Sequence, residues 1–255
     1  MPSFESEGLS LHYLDEGSPS DPAVLLVHGF ASNIRMNWVG PGWVRTLVEA
    51  GYRVIAFDHR GHGESDKPHE PTAYEPERMV ADALALLDRL GVERAVWFGY
   101  SMGARVSAFA ALDAPDRVRA LILGGLGEGL VTGLDDAEGI AEALLAPDPE
   151  AVEGARPRMF RAFADKTGSD RRALAACIAT SRKVLNADRV NKIAAPALVA
   201  VGTEDDIAGS PHALARLLPN GEAFEIAGRD HMLATGDRTF KAAVIEFLGR
   251  QASAT

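Results

Sequence analysis

Five short apolar runs constrain the fold of this chain most: residues 23–27, 53–57, 95–98, 118–123 and 197–201. They are rich in Val, Ile and Leu and show no polar alternation. Such runs suit strands covered on both faces, as in a parallel sheet. Between them lie segments with helical spacing. One carries Met79, Ala83, Leu86, Leu87 and Leu90 and closes at Gly91, a C′ glycine position. Another carries Phe240, Val244, Phe247 and Leu248. Ser210 followed by Pro211 reads as an N-cap and first-turn proline. Strand and helix in alternation predict a doubly wound α/β fold. Only the start differs: Leu9, Leu11 and Tyr13 alternate with polar residues after a Glu7-Gly8 turn, which predicts a β-hairpin with one dry face.

With 255 residues the chain is expected to form one domain. After the run 118–123, a glycine-rich stretch from Gly124 to Gly129 leads into about sixty residues that read as helices and turns. The simplest reading is a core of residues 1–127 and 192–255 with a small helical cap inserted at about 128–191. Crossover helices on the sheet face are the alternative.

Composition narrows the function classes. A net charge of −10, with no basic tract, disfavours nucleic acid and anionic lipid and favours a small, neutral or weakly charged substrate. The longest apolar runs are too short for a membrane span. The acidic first residues lack an apolar signal core, so a cytoplasmic location is expected. A single cysteine, Cys177, leaves no internal disulfide and reads as a small buried hydrophobe. Oligomeric state is not legible.

The chemistry centres on Gly99-Tyr100-Ser101-Met102-Gly103, between an apolar run and a helical segment beginning at Ala104. A serine at such a strand-to-helix turn sits on a strained backbone with its hydroxyl projecting, between glycines that permit the turn. The helix that follows aims its positive end at the place where negative charge develops in acyl transfer. Ser101 is therefore the expected nucleophile, and a serine hydroxyl needs an adjacent base. Of seven histidines, His12, His28, His59, His62, His69 and His212 lie in the hairpin, in early loops or at a helix start. His231 remains, after a strand-like segment and a Gly228-Arg229-Asp230 turn, where the carboxyl edge of an open sheet would carry it. The orienting acid is expected after the run 197–201, where Glu204, Asp205 and Asp206 stand side by side. For the oxyanion, the candidate backbone donors are the amides of Met102 and Phe30. His28 is expected to brace the Phe30 loop. The segment from Asp58 to Ser65 holds two histidines and two carboxylates, but no second His or Cys pair completes a zinc set, so no metal is expected there.

In order and context, His28-Gly29-Phe30, Asp58-His59-Arg60-Gly61-His62-Gly63-Glu64-Ser65, Gly99-Tyr100-Ser101-Met102-Gly103, Gly202-x-x-Asp205 and Gly228-x-x-His231 resemble the α/β-hydrolase superfamily. The resemblance implies a mostly parallel eight-stranded sheet with an antiparallel second strand, flanking helices, a helical lid, a Ser-Asp-His triad and no cofactor. Its Gly-x-x-Asp turn singles out Asp205. Dehalogenases and epoxide hydrolases of this fold carry aspartate at the nucleophile position, where this chain has Ser101. Hydrolases of carbon–carbon bonds in ring-cleavage products usually have longer caps and a richer glycine loop than Phe30-Ala31-Ser32-Asn33. The expected activity is hydrolysis of a small-molecule ester or lactone. Carbon–carbon, amide or thioester cleavage with the same residues, or a non-catalytic receptor, are the alternatives. Trp38 and Trp43 with Met36, and Met159, Phe160 and Phe163 from the cap, are the candidate pocket residues.

Overall fold

The computed structural model describes residues 1–133 and 136–252. Eight strands form one sheet: β1 (Ser3–Ser6), β2 (Leu9–Glu16), β3 (Ala23–Val27), β4 (Arg53–Phe57), β5 (Ala95–Tyr100), β6 (Val118–Gly124), β7 (Ala197–Gly202) and β8 (Gly221–Ile226). Their spatial order is β1-β2-β4-β3-β5-β6-β7-β8. Strand β2 runs antiparallel to both β1 and β4, and the pairs from β4 onward are parallel. The hairpin turn places Glu7 at φ +48° and Gly8 at φ +79°, the left-handed pair that matches strand twist in a two-residue loop.

Both sheet faces are dry because every second residue of a run finds its own apolar layer. Leu25, Val27, Ile55, Phe57, Trp97, Leu121 and Leu123 belong to one cluster, while Val24, Leu26, Val54, Ala56, Phe98 and Ile122 belong to the other. Helices α1 (Trp43–Glu49) and α10 (Arg238–Ala252) cover the second face through Trp43, Leu47, Phe240, Val244 and Phe247. Helices α2 (Pro76–Arg89), α3 (Met102–Asp113) and α9 (Pro211–Leu217) cover the first through Met79, Leu86, Val106, Phe109 and Leu214. Ser210 caps α9 by accepting from the Ala213 amide, and Gly91 follows α2 at φ +66°.

Between β6 and β7 lie α4 (Gly129–Thr132), α5 (Ala137–Leu145), α6 (Ala155–Thr167), α7 (Arg171–Thr180) and α8 (Ala187–Val190). No strand occurs there among the described residues. Ile140, Leu144, Phe160, Leu174 and Ile178 from these helices join the first apolar cluster, so the stretch packs continuously with the sheet layer beneath it.

A buried ion pair ties the hairpin edge to the helical layer. Arg60 donates from Nε and Nη2 to Asp82 at 2.7 and 2.6 Å, and from Nη2 to Glu7 at 3.0 Å. The residues between Asp58 and Ser65 form a braced turn. Asp58 accepts from the amides of Ile34 and Glu64, and Ser65 Oγ donates to the Asp58 carbonyl at 2.6 Å.

Candidate active site

Strand β5 delivers Ser101 at its carboxyl end, and α3 begins one residue later. Ser101 has φ +54° and ψ −111°, a conformation that a side chain adopts only under strain of about 1–3 kcal/mol. The neighbours enforce it. A Cβ on Gly99 would lie 2.2 Å from the Gly103 carbonyl oxygen, and one on Gly103 would lie 1.9 Å from the Val27 carbonyl oxygen. Those two glycines let the turn and the first coil of α3 press against β3. The Ser101 amide is anchored to the Gly124 carbonyl at 2.7 Å.

His231 comes from the loop after β8. Its Nε2 lies 3.0 Å from Ser101 Oγ, and its Nδ1 lies 2.7 Å from Asp205 Oδ2. The Tyr100 hydroxyl donates to the His231 carbonyl at 2.5 Å and so fixes this loop from the strand that carries the serine. Among the three adjacent carboxylates only Asp205 turns inward. Its side chain is 0% exposed, against 85% for Asp206, and Glu204 is exposed as well. The other oxygen of Asp205 accepts from the amides of Ile207 and Ala208 at 2.8 and 3.0 Å. Burial pushes this carboxyl up, but the hydrogen bond and charge of His231 with those two amides outweigh it and hold it below its ordinary range. Asp230 is exposed and accepts from the Met232 and Leu233 amides, which shapes the turn around His231.

The loop after β3 closes the other side. The Gly29 amide donates to Asn37 Oδ1 at 2.9 Å, and His28 braces the loop with Nδ1 to the Gly29 carbonyl and Nε2 to the His59 amide. Burial lowers the His28 and His62 pKa to about 4 and about 3, so both rings are neutral at pH 7. Phe30 and Met102, the two residues whose amides are candidate oxyanion donors, line the same small cleft as Ser101. Among the described residues no group of three or more His, Cys, Asp or Glu side chains is arranged to hold a metal.

A cavity of about 190 Å³ opens over Ser101 and His231, with Phe30, Asn37, Phe160 and Phe163 among its walls. Met36 and Met232 sit at its more exposed side. Three of the expected pocket residues lie elsewhere. Trp38 is fully buried against Phe98, with ring centroids 4.9 Å apart, because the π-helical turn of residues 35–39 rotates it inward. Met159 precedes Phe160 on α6 and packs against the apolar cluster, since one residue step on a helix turns the side chain by about 100°. Trp43 also belongs to the core, wedged between Phe98 and Phe240. Asn37 carried no signal in the sequence. Its buried Nδ2 has no partner and its side chain lines the cavity, a donor left over for a bound molecule.

Residues 22–146 match the family model of the alpha/beta hydrolase fold. The chain has that fold. The chain is 36% identical over 177 residues to "Epoxide hydrolase A" of Mycobacterium tuberculosis (strain ATCC 25618 / H37Rv), covering 60% of the chain and 54% of that protein. It spans about half or less of the length of the curated relatives it matches. Among solved structures, "a hydrolase from Pseudomonas aeruginosa PA01" superposes with a TM-score of 0.80 at 27% identity, over 97% of this chain and 98% of that one. "The enol-lactonase from Burkholderia xenovorans LB400" gives 0.74 at 25% identity, over 97% and 100%. Among the described residues of this α/β hydrolase-fold chain, no helix is long and apolar enough to cross a membrane.

Proposed function

We propose that the chain is a serine hydrolase that cleaves a carboxylic ester or lactone of a small molecule through an acyl-enzyme. The observation that carries the reading is the continuous relay from Ser101 Oγ through His231 to Asp205, at 3.0 and 2.7 Å, on a serine held at φ +54°. Ser101 Oγ attacks the carbonyl carbon while His231 Nε2 takes its proton. Asp205 keeps the remaining ring proton on Nδ1 and stabilises the imidazolium. The amides of Met102 and Phe30 receive the oxyanion, aided by the amino end of the twelve-residue α3. His231 then returns its proton to the departing alkoxide. A water deprotonated by the same Nε2 releases the acid. All of these steps run on the chain's own groups.

We read residues 128–191 as a cap, with Phe160 and Phe163 of α6 forming part of the roof over the serine. A cavity of about 190 Å³ suits a small substrate.

The curated relatives are named epoxide hydrolases, and the nucleophile argues for a different bond. A carboxylate that opens an epoxide makes an ester, which water cleaves. A serine hydroxyl would make an alkyl ether, which water does not cleave, so the site would stop after one event. A panel of ethyl and aryl esters, γ- and δ-lactones and styrene oxide separates the two. Ester or lactone turnover that disappears in Ser101→Ala supports the reading, whereas multiple turnover of the epoxide that survives in Ser101→Ala refutes it.

A further inference from the structure

A second, smaller cleft adjoins Ser101 without reaching His231, lined also by Phe30, Met102, Arg105, Leu126, Ser181 and Arg182. It measures about 20 Å³, room for about one water-sized group such as an oxygen of a carboxylate. Two of its lining residues carry buried polar atoms without an oxygen or nitrogen partner. Ser181 is 1% exposed and its hydroxyl meets the Cys177 thiol one turn earlier, which itself donates to the Met102 sulfur at 3.6 Å, so no oxygen or nitrogen atom among the described residues partners it. Arg182 Nη1 is buried and also without a partner, and the guanidinium lies 5.8 Å from the centre of the Phe160 ring. Arg105 is 2% exposed and spends its donors on the carbonyls of Gly129, Leu130 and Lys183.

Neither arginine forms an ion pair with a carboxylate among the described residues. This contrasts with buried Arg60, which is neutralised by Asp82 and Glu7. Burial, with the charge of Arg182 acting on Arg105 and that of Arg156 on Arg182, lowers both pKa values to about 10 although Asp136 acts the other way on Arg182, and both stay charged at neutral pH. Two such charges beside the nucleophile of a chain whose net charge is −10 are costly unless an anion completes them. A planar carboxylate fits the fork of a guanidinium with a hydroxyl beside it.

The two clefts also divide the substrate. His231 lines the larger cavity and not the smaller one. Because His231 must protonate the leaving oxygen, the alcohol part belongs in the larger cavity and the acyl part in the smaller one. We propose that Arg182 and Ser181, with Arg105 behind them, bind a carboxylate at the far end of a short acyl chain, so that the substrate is the half-ester or lactone-acid of a small dicarboxylic acid. This rests on the ester reading above and names its substrate class.

The test compares monoethyl succinate with its uncharged isostere ethyl 4-methylpentanoate and with acetoxyacetate, which carries the charge on the alcohol side, following acid release at constant pH. The proposal predicts that kcat/KM favours monoethyl succinate over the isostere by about 10- to 100-fold, the worth of one charge-assisted contact. Arg182→Met should collapse that ratio toward one, and Arg182→Lys should restore part of it. Equal or better use of the isostere by the wild type, an equal loss on both esters in Arg182→Met, or a preference for acetoxyacetate overturns the proposal. If no ester is turned over, the ester reading fails and the subsite is judged by binding alone. Succinate, against chloride at matched ionic strength, should then raise the melting temperature of Ser101→Ala, with the rise lost when Arg182→Met is added. Absence of that rise overturns the subsite.

Discussion

Replacing Asp205 with Asn tests the relay where the structure makes the sharpest statement. One carboxylate oxygen is committed to the Ile207 and Ala208 amides at 2.8 and 3.0 Å, and the other receives the Nδ1 proton of His231 at 2.7 Å. An asparagine has one acceptor and one donor group. Two amide donors at the first position hold its oxygen there, which turns the NH₂ toward His231 Nδ1. The imidazole must then accept at Nδ1 and carry its proton on Nε2, facing Ser101 Oγ at 3.0 Å, where it cannot take the serine proton. The expected loss in kcat is about 10⁴-fold, the scale of an inverted tautomer in a serine triad. Folding should be preserved, because shape and amide bonds are kept. The assay is steady-state hydrolysis of the best ester from the panel, with melting temperature as the control. Glu204→Gln and Asp206→Asn, whose side chains face solvent, should change kcat less than twofold. A loss below tenfold in Asp205→Asn, or a comparable loss in either neighbour, would show that Asp205 does not hold the base.

Two further outcomes follow from packing and from the buried histidines. Gly103→Ala forces a methyl to within 1.9 Å of the Val27 carbonyl oxygen, so it should destabilise the fold by about 3 kcal/mol or more and abolish activity; urea unfolding at wild-type midpoint contradicts this account of the elbow. His28 and His62 bind protons in the unfolded chain near pH 6.5 but in the native fold only near pH 4 and pH 3. Between those limits the unfolded state holds more protons, so stability is full above about pH 7 and falls as the pH drops. Each ring contributes a slope of about 1.4 kcal/mol per pH unit. Urea titrations from pH 7 to pH 4 should show His62→Gln with a slope shallower by about that amount, and an unchanged slope would mean that His62 is not held neutral.

The sequence shows the strands to within a residue or two because a run buried on both faces carries no competing pattern. Residues 23–27 and 53–57 are β3 and β4 without adjustment, and β5 continues only to Tyr100. Ser101 is legible for the same reason: strand, glycine, serine, glycine and helix follow one another locally. Other features depend on contacts between distant segments. Which of three carboxylates turns inward depends on the pleat at the end of β7 and on two amides beyond it, and the family spacing rather than the residues themselves pointed to Asp205. Trp38 read as a pocket residue because an aromatic after the Phe30 loop looks the same in sequence whether the helical turn carries it outward or, as here, into Phe98. Asn37, Ser181 and Arg182 left no local signal, since an unpartnered donor is defined only by what fails to surround it. Net charge is silent here as well, since a chain at −10 still holds Arg105 and Arg182 beside Ser101.

The central claim is that Ser101 itself becomes acylated. The most direct measurement is rapid acid quenching of the protein during turnover of an activated aryl ester, followed by intact mass and peptide mapping. The account predicts a mass increase equal to the acyl group, located on the peptide bearing Ser101, formed in a burst before steady state and absent from Ser101→Ala. Ester turnover with no acyl adduct, an adduct on another residue, or a burst that persists in Ser101→Ala would contradict it.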